Sequence, residues 1–239
     1  MSLSLLAPIS AADDRLMLWL HGGLGAWPLF DRFVMWVLGE PLVKLGPLVL
    51  VICALWFRPG AGRDAVRLKL VDALTAGLVG LVVGRVLALG LPFRDRPIAR
   101  PDLDYTVPLE PLHRTWSSFP SDHAVMAFAL AVSLLRVSRP LGAWAIVHAT
   151  VFVCLPRLYF GQHFPTDLVG GAVVGAALAV AVARWPLFRP IGRGVLAAEA
   201  QRPAWLYPIG FVLLFEIVAM FQNLRQFAAG LFSVLRGLG

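Results

Sequence analysis

Three polar clusters border the apolar segments of this 239-residue sequence. In the last cluster Arg157, His163 and Asp167 follow one another at the spacing Arg-x5-His-x3-Asp, and the intervening Gly161 and Pro165 predict a turn. A turn folds Asp167 back towards His163. An aspartate hydrogen-bonded to one imidazole nitrogen fixes the tautomer and leaves the other nitrogen free to attack, so the cluster predicts a histidine nucleophile.

The two earlier clusters add groups suited to a phosphate ester. The first carries Arg94 and Arg96, whose guanidinium groups are permanently charged, planar donors that match phosphate oxygens. The second, Ser121-Asp122-His123, opens a predicted helix, where free backbone N–H groups and the helix dipole favour an anion. Together with Arg157 and His163, these residues could supply a nucleophile, an acid and a phosphate cradle.

Each cluster taken alone has a simpler interpretation. An arginine near a helix end extends its charge to the membrane interface, a lone histidine at a boundary is usually a polar anchor, and Asp167 after Thr166 could cap a helix. Taken together, so many ionisable groups at the ends of apolar segments favour a functional site, because such groups are costly at membrane depth.

The composition indicates a membrane protein. Hydrophobic residues make up 59% of the chain, charged residues 15%, and the mean hydropathy is +0.76. The net charge of +7 does not predict nucleic-acid binding, because no run of Lys or Arg occurs. Cys53 and Cys154 have no CxxC spacing, so neither a disulfide nor a zinc site is expected. The first residues lack a basic region, so a cleaved signal peptide is not expected.

The apolar segments predict an all-α polytopic membrane bundle of about five or six spanning helices, with an N-terminal amphipathic stretch at the interface. The prediction is a single membrane domain over residues 1–239. Its catalytic core covers about 70–187, an N-terminal interfacial and first-span region covers 1–57, and a C-terminal helix with an amphipathic tail covers 205–239.

The charge distribution predicts sidedness. Three connecting segments, 58–69, 136–139 and 184–202, hold ten basic and two acidic residues, whereas the segments 1–44, 92–118 and 156–167 hold eight basic and nine acidic residues. The positive-inside rule places the first set in the cytoplasm and the clusters on the outer face. Two Gly-x-x-x-Gly pairs, Gly80–Gly84 and Gly171–Gly175, either pack helices closely or reflect the abundance of glycine in membrane helices.

The ordered clusters resemble the signature of the type 2 phosphatidic acid phosphatase superfamily, which reads K-x6-RP, PSGH and SR-x5-H-x3-D. The resemblance covers about Leu70 to Leu187. The third motif corresponds to Pro156-Arg157, His163 and Asp167, with proline in place of serine. The second corresponds to Pro120-Ser121-Asp122-His123, with Asp122 in place of glycine. The first is reduced to Arg96-Pro97.

Two departures from the family pattern need an explanation. Leu89 occupies the position of the family lysine, and Arg94 and Arg85 are the candidates to supply the missing charge. Asp122 would repel a phosphate unless it pairs with an arginine or points away. The Pro-Ser-Asp-His variant is similar to that of bacterial undecaprenyl pyrophosphate phosphatases. Glu216, in the last apolar segment, is interpreted as a structural partner of a basic group such as Arg85.

The resemblance implies a role for each matching residue. His163 would form a phosphohistidine, Asp167 would hold and polarise it, and His123 would protonate the leaving oxygen. Arg96, Arg157 and Ser121 would cradle the phosphoryl oxygens, with Arg94 alongside. No metal and no cofactor is expected, and the partners would be a lipid phosphate and the bilayer.

The sequence leaves several alternatives open. The favoured substrate is a polyprenyl pyrophosphate, cleaved at the periplasmic or outer face of a bacterial inner membrane. Phosphatidic acid, phosphatidylglycerol phosphate and lipid A phosphates are alternative substrates. A lipid transporter or flippase, an intramembrane serine protease using Ser121, and an inactive relative of the phosphatases are alternative functions.

Overall fold

The computed structural model describes residues 7–103 and 116–237, and twelve α-helices make up most of them. The helices, in chain order, are α1 (Ala7–His21), α2 (Pro28–Gly39), α3 (Pro41–Lys44), α4 (Gly46–Trp56), α5 (Arg63–Gly90), α6 (Asp122–Leu135), α7 (Arg139–His148), α8 (Leu155–Tyr159), α9 (Pro165–Arg184), α10 (Arg189–Gln201), α11 (Pro203–Val218) and α12 (Gln222–Gly237). The all-α prediction is confirmed.

Three helical segments of the described chain are long and apolar enough to cross a membrane: Arg63–Gly90, Arg139–Tyr159 and Pro165–Arg184. The second is continuous through a π-helical turn, Ala149–Cys154, which joins α7 to α8. Shorter apolar helices are α4, α6 and α11. Proline begins many of these helices, at a position where the missing N–H costs no hydrogen bond.

Helix α6 is the centre of the bundle, and it packs most extensively against α9 and α5. Glycines make this close packing possible. A Cβ atom at Gly171 would lie 2.6 Å from the Ser121 carbonyl oxygen, and one at Gly80 would lie 3.0 Å from a Val125 methyl group. Both Gly-x-x-x-Gly pairs therefore face α6, and they let the backbones of α5 and α9 approach it.

The bundle has two ends, which we call the site pole and the basic pole. At the site pole α5 ends and α6 and α9 begin, so all three predicted clusters meet there. At the basic pole the ends of neighbouring helices are joined by charged side chains. Arg67 donates to the Trp56 carbonyl oxygen at 3.0 Å and to Glu199 at 2.9 Å, and Arg136 donates to Asp72 at 2.9 Å.

The N-terminal helices lie against the site pole. Helix α1 contacts α8, α9 and the short 3₁₀ helix Pro101–Leu103, and α2 contacts α8. Met17 of α1 is fully buried, in a cluster with Leu103 and Phe164. The predicted amphipathic N-terminal stretch is therefore part of the packed structure around the three clusters.

Candidate active site

Backbone hydrogen bonds join the loop that follows α5, which carries the first cluster, to the chain segments that carry the second and third clusters. The Ser118 amide donates to the Arg94 carbonyl oxygen at 2.8 Å, and the Ile98 amide donates to the Gly161 carbonyl oxygen at 2.8 Å. Gly161 adopts a positive φ of 63°, which glycine tolerates without strain. The turn predicted between Arg157 and Asp167 is thus present and connects the first cluster to the third.

His163 is buried between a hydrogen-bond acceptor and a hydrogen-bond donor. Its Nδ1 atom lies 2.9 Å from the Ser118 carbonyl oxygen, and its Nε2 atom lies 3.1 Å from Nη1 of Arg96. A carbonyl oxygen only accepts, and a guanidinium only donates. These neighbours assign the proton to Nδ1 and leave a lone pair on Nε2, which is the tautomer a nucleophile needs. Burial, with the charge of Arg96 added, lowers the pKa of His163.

Asp167 is fully buried and lies beside His163, but the two are not directly hydrogen-bonded. The distance from Oδ2 of Asp167 to Nδ1 of His163 is 3.6 Å. Oδ2 instead accepts from the Phe164 amide at 2.7 Å and from the Ser118 hydroxyl, and Oδ1 accepts from Arg94 at 2.7 Å. The carboxylate therefore acts on the imidazole through space, while the Ser118 carbonyl oxygen makes the hydrogen bond that we expected from Asp167.

Arg96 points its guanidinium into the same buried space. Nη1 donates to the Gln162 carbonyl oxygen at 2.9 Å as well as to His163. Its Nε atom is buried and has no hydrogen-bond partner within the described parts of the chain. Burial lowers the pKa of this guanidinium, and the nearby charges of Asp122 and Asp167 oppose that change. An unpaired N–H of a buried cation is costly, and an anionic ligand would satisfy it.

Arg157 is buried at the end of the π-helical turn. Its Nη1 atom donates to the Val153 carbonyl oxygen at 2.8 Å. Pro156 has no N–H to give to the preceding turn, and a π-helical turn at this point is typical of functional sites. Arg157 interacts electrostatically with Arg96 and with Asp122, so both guanidiniums belong to one charged cluster.

Asp122, which stands in place of the glycine of the family pattern, pairs with an arginine. Its Oδ2 atom accepts from Arg85 at 2.8 Å, and its Oδ1 atom lies 3.2 Å from Nδ1 of His123. Arg85 also stacks on Trp116, with its central carbon 3.8 Å from the ring centroid. The structure therefore places Asp122 between a cation and the predicted acid, where it orients His123. Arg85 pairs with Asp122 and not with Glu216 as we expected; Glu216 accepts from the Leu224 amide at 3.3 Å.

Ser121 caps the helix that carries His123. It is fully buried, its backbone N–H donates to the Asp167 carbonyl oxygen at 3.1 Å, and its hydroxyl accepts from the Ala124 amide at 3.5 Å. Serine is a favoured residue at this capping position. The hydroxyl predicted to bind phosphate thus caps α6, and the backbone N–H of the same residue joins the start of α6 to the start of α9.

Arg94 is engaged by protein groups on both sides. It donates to Asp167 and to the Thr166 hydroxyl at 2.7 Å each, and to Asp13 of α1 at 2.7 Å. It also lies over the Phe164 ring, 4.1 Å from the centroid. These contacts link the carboxylate of Asp167 to the N-terminal helix, so they favour a supporting role for Arg94 over direct phosphate binding.

Sequence reasoning did not identify four residues that the structure places at or near this site: Ser118, Thr166, Asp13 and Lys44. The buried ammonium of Lys44 donates to the Leu38 carbonyl oxygen at 2.7 Å, and burial together with the charge of Arg157 lowers the pKa of Lys44 to about 7. Of these four, only Ser118 and Thr166 could have been suspected from the sequence, because they lie next to the second and third motifs.

The chain belongs to the PAP2 superfamily: the family model matches residues 69–191, about half of the sequence and all three clusters. The chain is accordingly a membrane phosphatase of this superfamily, a hydrolase that acts on lipid phosphate esters, and the resemblance predicted from the motifs is confirmed. Within the described residues, no group of three or more His, Cys, Asp or Glu side chains could hold a metal ion.

Two curated relatives are bacterial proteins that are named for the same activity, that of an undecaprenyl-diphosphatase. The chain is 29% identical to undecaprenyl-diphosphatase BcrC of Bacillus subtilis (strain 168) over 142 residues, which is 59% of this chain and 69% of that protein. It is 29% identical to putative undecaprenyl-diphosphatase YbjG of Escherichia coli (strain K12) over 139 residues, 58% of this chain and 65% of that protein. The matches therefore span about two thirds of each relative.

A solved structure shares the fold. The transmembrane PAP2 type phosphatidylglycerolphosphate phosphatase from Bacillus subtilis superposes with a TM-score of 0.50 at 23% identity, covering 74% of this chain and 85% of that one. At this identity the likeness supports the transmembrane helical fold alone.

Proposed function

We propose that this protein hydrolyses a polyprenyl pyrophosphate at the outer face of the membrane, through a phosphohistidine on His163. The observation that carries the proposal is the pair of contacts on that ring. Nδ1 is tied to the Ser118 carbonyl oxygen, and Nε2, which holds the lone pair, faces a guanidinium of Arg96. A phosphate whose oxygens accept hydrogen bonds from Arg96 would place its phosphorus atom next to Nε2 of His163.

The first step forms one bond and breaks another. Nε2 of His163 attacks the terminal phosphorus, and the bond from phosphorus to the bridging oxygen breaks. His123, held by Asp122 at Nδ1, gives its proton to the departing oxygen, and the lipid leaves as a monophosphate. Arg96 and Arg157 stabilise the charge on the equatorial oxygens, which is the main contribution a protein makes to phosphoryl transfer.

The second step returns the enzyme to its starting state. Water attacks the phosphohistidine and loses its proton to His123, the bond from nitrogen to phosphorus breaks, and inorganic phosphate departs. Asp167, 3.6 Å from Nδ1, stabilises the positive charge that His163 carries while phosphorylated. None of these steps requires a metal ion.

The choice of a pyrophosphate has two supports. The two relatives described above are named as undecaprenyl-diphosphatases. In addition, the variant Pro120-Ser121-Asp122-His123 resembles that of bacterial undecaprenyl pyrophosphate phosphatases. The prenyl chain would remain in the lipid.

The bundle is proposed to cross the membrane six times, through α4, α5, α6, the α7–α8 segment, α9 and α11. The basic pole then faces the cytoplasm, in accordance with the positive-inside rule, and the site pole faces outward. Helices α10 and α12 would lie along the two interfaces. A substituted-cysteine accessibility assay with a membrane-impermeant thiol reagent tests this sidedness, using single cysteines at Phe93 and at Arg189.

The experiment that tests the function is phosphate release by purified protein in detergent, with EDTA present, from a panel of prenyl pyrophosphates, prenyl monophosphates and phosphatidic acid. We expect turnover of the pyrophosphate and loss of turnover in His163→Ala, with a melting temperature near that of the wild type. Retained turnover in His163→Ala would rule out the phosphohistidine on that residue, and no turnover in the wild type would rule out hydrolysis and leave lipid transport as the competing function.

The role of His123 has a distinct signature in the same panel. A prenyl phosphate leaves readily without a proton, whereas the alkoxide of a monophosphate ester does not. His123→Asn should therefore reduce kcat/KM, which reports the formation of the phosphohistidine, far more for monophosphates than for pyrophosphates. Equal losses on both substrates would contradict its role as the acid.

A further inference from the structure

Helix α1 lies outside the family match at residues 69–191, yet it contributes a buried carboxylate to the site. Asp13 is only 3% exposed. Its Oδ2 atom accepts from Arg94 at 2.7 Å and from the Thr166 hydroxyl, and its Oδ1 atom accepts from the Thr166 amide at 3.3 Å. A buried carboxylate with this many donors is held in one position.

Both partners of Asp13 adjoin Asp167. Thr166 is the preceding residue in the first turn of α9, and Arg94 donates to Asp167 at 2.7 Å through the same nitrogen that donates to Thr166. One guanidinium is therefore shared between two carboxylates, one from α1 and one from α9. Asp13 offsets part of the charge of Arg94, and it fixes the side of Arg94 that does not face Asp167.

We propose that Asp13 is a positioning residue for catalysis, which acts on His163 through Arg94 and Asp167. This inference rests on the proposed function. Without the charge of Asp13, the whole charge of Arg94 would act on Asp167, which it already contacts at 2.7 Å, and would neutralise that carboxylate more completely. Asp167 would then stabilise the charged state of His163 less well, which lowers the rate of the chemical steps and leaves substrate binding unchanged.

Other contacts fix α1 in the place this role requires. Met17 is buried with Leu103 and Phe164, whereas Asp14 makes only a partly exposed ion pair with Arg100 at 2.7 Å. Phe164 also lies under the guanidinium of Arg94, and its amide donates to Asp167 at 2.7 Å. The helix is thus fastened to the loop after α5 and to the start of α9, the two elements that carry Arg94 and Asp167.

The test compares Asp13→Asn with a matched control, Asp14→Asn, in the full-length protein. Asp13→Asn keeps the shape and removes the charge, and we expect a fall in kcat of about tenfold to a hundredfold with KM for a prenyl pyrophosphate within about twofold. Asp14→Asn should leave both constants near those of the wild type, because Arg100 also pairs with Asp102.

A double-mutant cycle separates positioning from a general loss of structure. If Asp13 acts through Arg94, then Asp13→Asn should have little further effect on kcat in an Arg94→Gln background. Should Asp13→Asn fail to fold, Thr166→Val provides the second variant, since it removes the hydroxyl that bridges Asp13 and Arg94, and it too should lower kcat alone.

Three outcomes would overturn the inference. Asp13→Asn with a wild-type kcat refutes it, and so do losses that multiply fully in the double variant. A rise in KM with kcat unchanged would assign Asp13 to binding instead. An inactive wild-type protein would refute the proposed function together with the inference, whereas the other results refute the inference alone.

Discussion

The Nδ1 atom of His163 lies 2.9 Å from the backbone carbonyl oxygen of Ser118. This hydrogen bond sets the tautomer of the ring with a group that no side-chain substitution removes. The nearest carboxylate oxygen, of Asp167, is 3.6 Å away. In the proposed mechanism, the two tasks that one aspartate performs in many catalytic triads, fixing the tautomer and stabilising the imidazolium, are thus divided between a carbonyl oxygen and a carboxylate.

This division predicts the effect of Asp167→Asn. Because the Ser118 carbonyl oxygen keeps the proton on Nδ1, the variant should lose only charge stabilisation, and kcat should fall by about a hundredfold, not the ~10⁴-fold observed where an aspartate sets the tautomer. The measurement is kcat for a prenyl pyrophosphate, beside His163→Ala as the reference for complete loss. Asp167→Asn as inactive as His163→Ala would contradict the division of tasks.

The pH profile should reflect the burial of His163. In the proposed mechanism its neutral form is the nucleophile, and burial with the charge of Arg96 lowers its pKa below the usual 6.5, although the carboxylates of Asp167 and Asp122 oppose this. With a lowered pKa the neutral ring persists to a more acidic pH. The acid limb of kcat/KM should therefore fall below pH 6.5, and a limb centred above that value would show that the ring is mainly protonated in the free enzyme.

The ion pair of Arg85 and Asp122 should show strong coupling. Arg85→Leu leaves the Asp122 carboxylate without its partner beside the phosphate, so kcat/KM should fall by more than about tenfold. The double variant Arg85→Leu/Asp122→Gly, which restores the residue found in the PSGH pattern, should recover much of that loss. The coupling energy from the four proteins measures the interaction, and additive effects would argue against it.

Packing around α6 predicts which glycines tolerate a methyl group. A Cβ atom at Gly175 would overlap the Val125 carbonyl oxygen and lie 2.9 Å from the Ala129 amide nitrogen. Gly175→Ala should therefore destabilise the protein by roughly 1–3 kcal/mol. Gly210→Ala in α11 is the matched control, since nothing lies within 4 Å of its Cβ position. Thermal unfolding in detergent compares the two, and equal melting temperatures would refute tight packing at Gly175.

Motif spacing was sufficient to predict the convergence of the three clusters. Gly161 and Pro165 predicted the turn that brings His163 and Asp167 together, because their backbone preferences are local properties. The hydrophobic pattern likewise predicted the helical class. For Asp122 the sequence left two alternatives, a pair with an arginine or a side chain that points away, and the structure has the first, with Arg85 as the partner.

The remaining parts of the site depend on contacts that leave no local pattern. The acceptor for His163 is a backbone oxygen of Ser118, and any residue type at that position provides one. Asp13 reaches Thr166 across more than half the chain, and in the sequence it reads as an ordinary polar residue of an amphipathic segment. Such pairings follow from tertiary packing, which a single sequence does not reveal.

The place of α1 in the structure has a practical consequence for any shortened or hybrid version of this phosphatase. A fragment cut at the limits of family similarity would retain every signature residue and would still lose the carboxylate that shares Arg94 with Asp167. Grafting the signature segment onto another N-terminal region would therefore also require an acidic side chain placed where Asp13 lies.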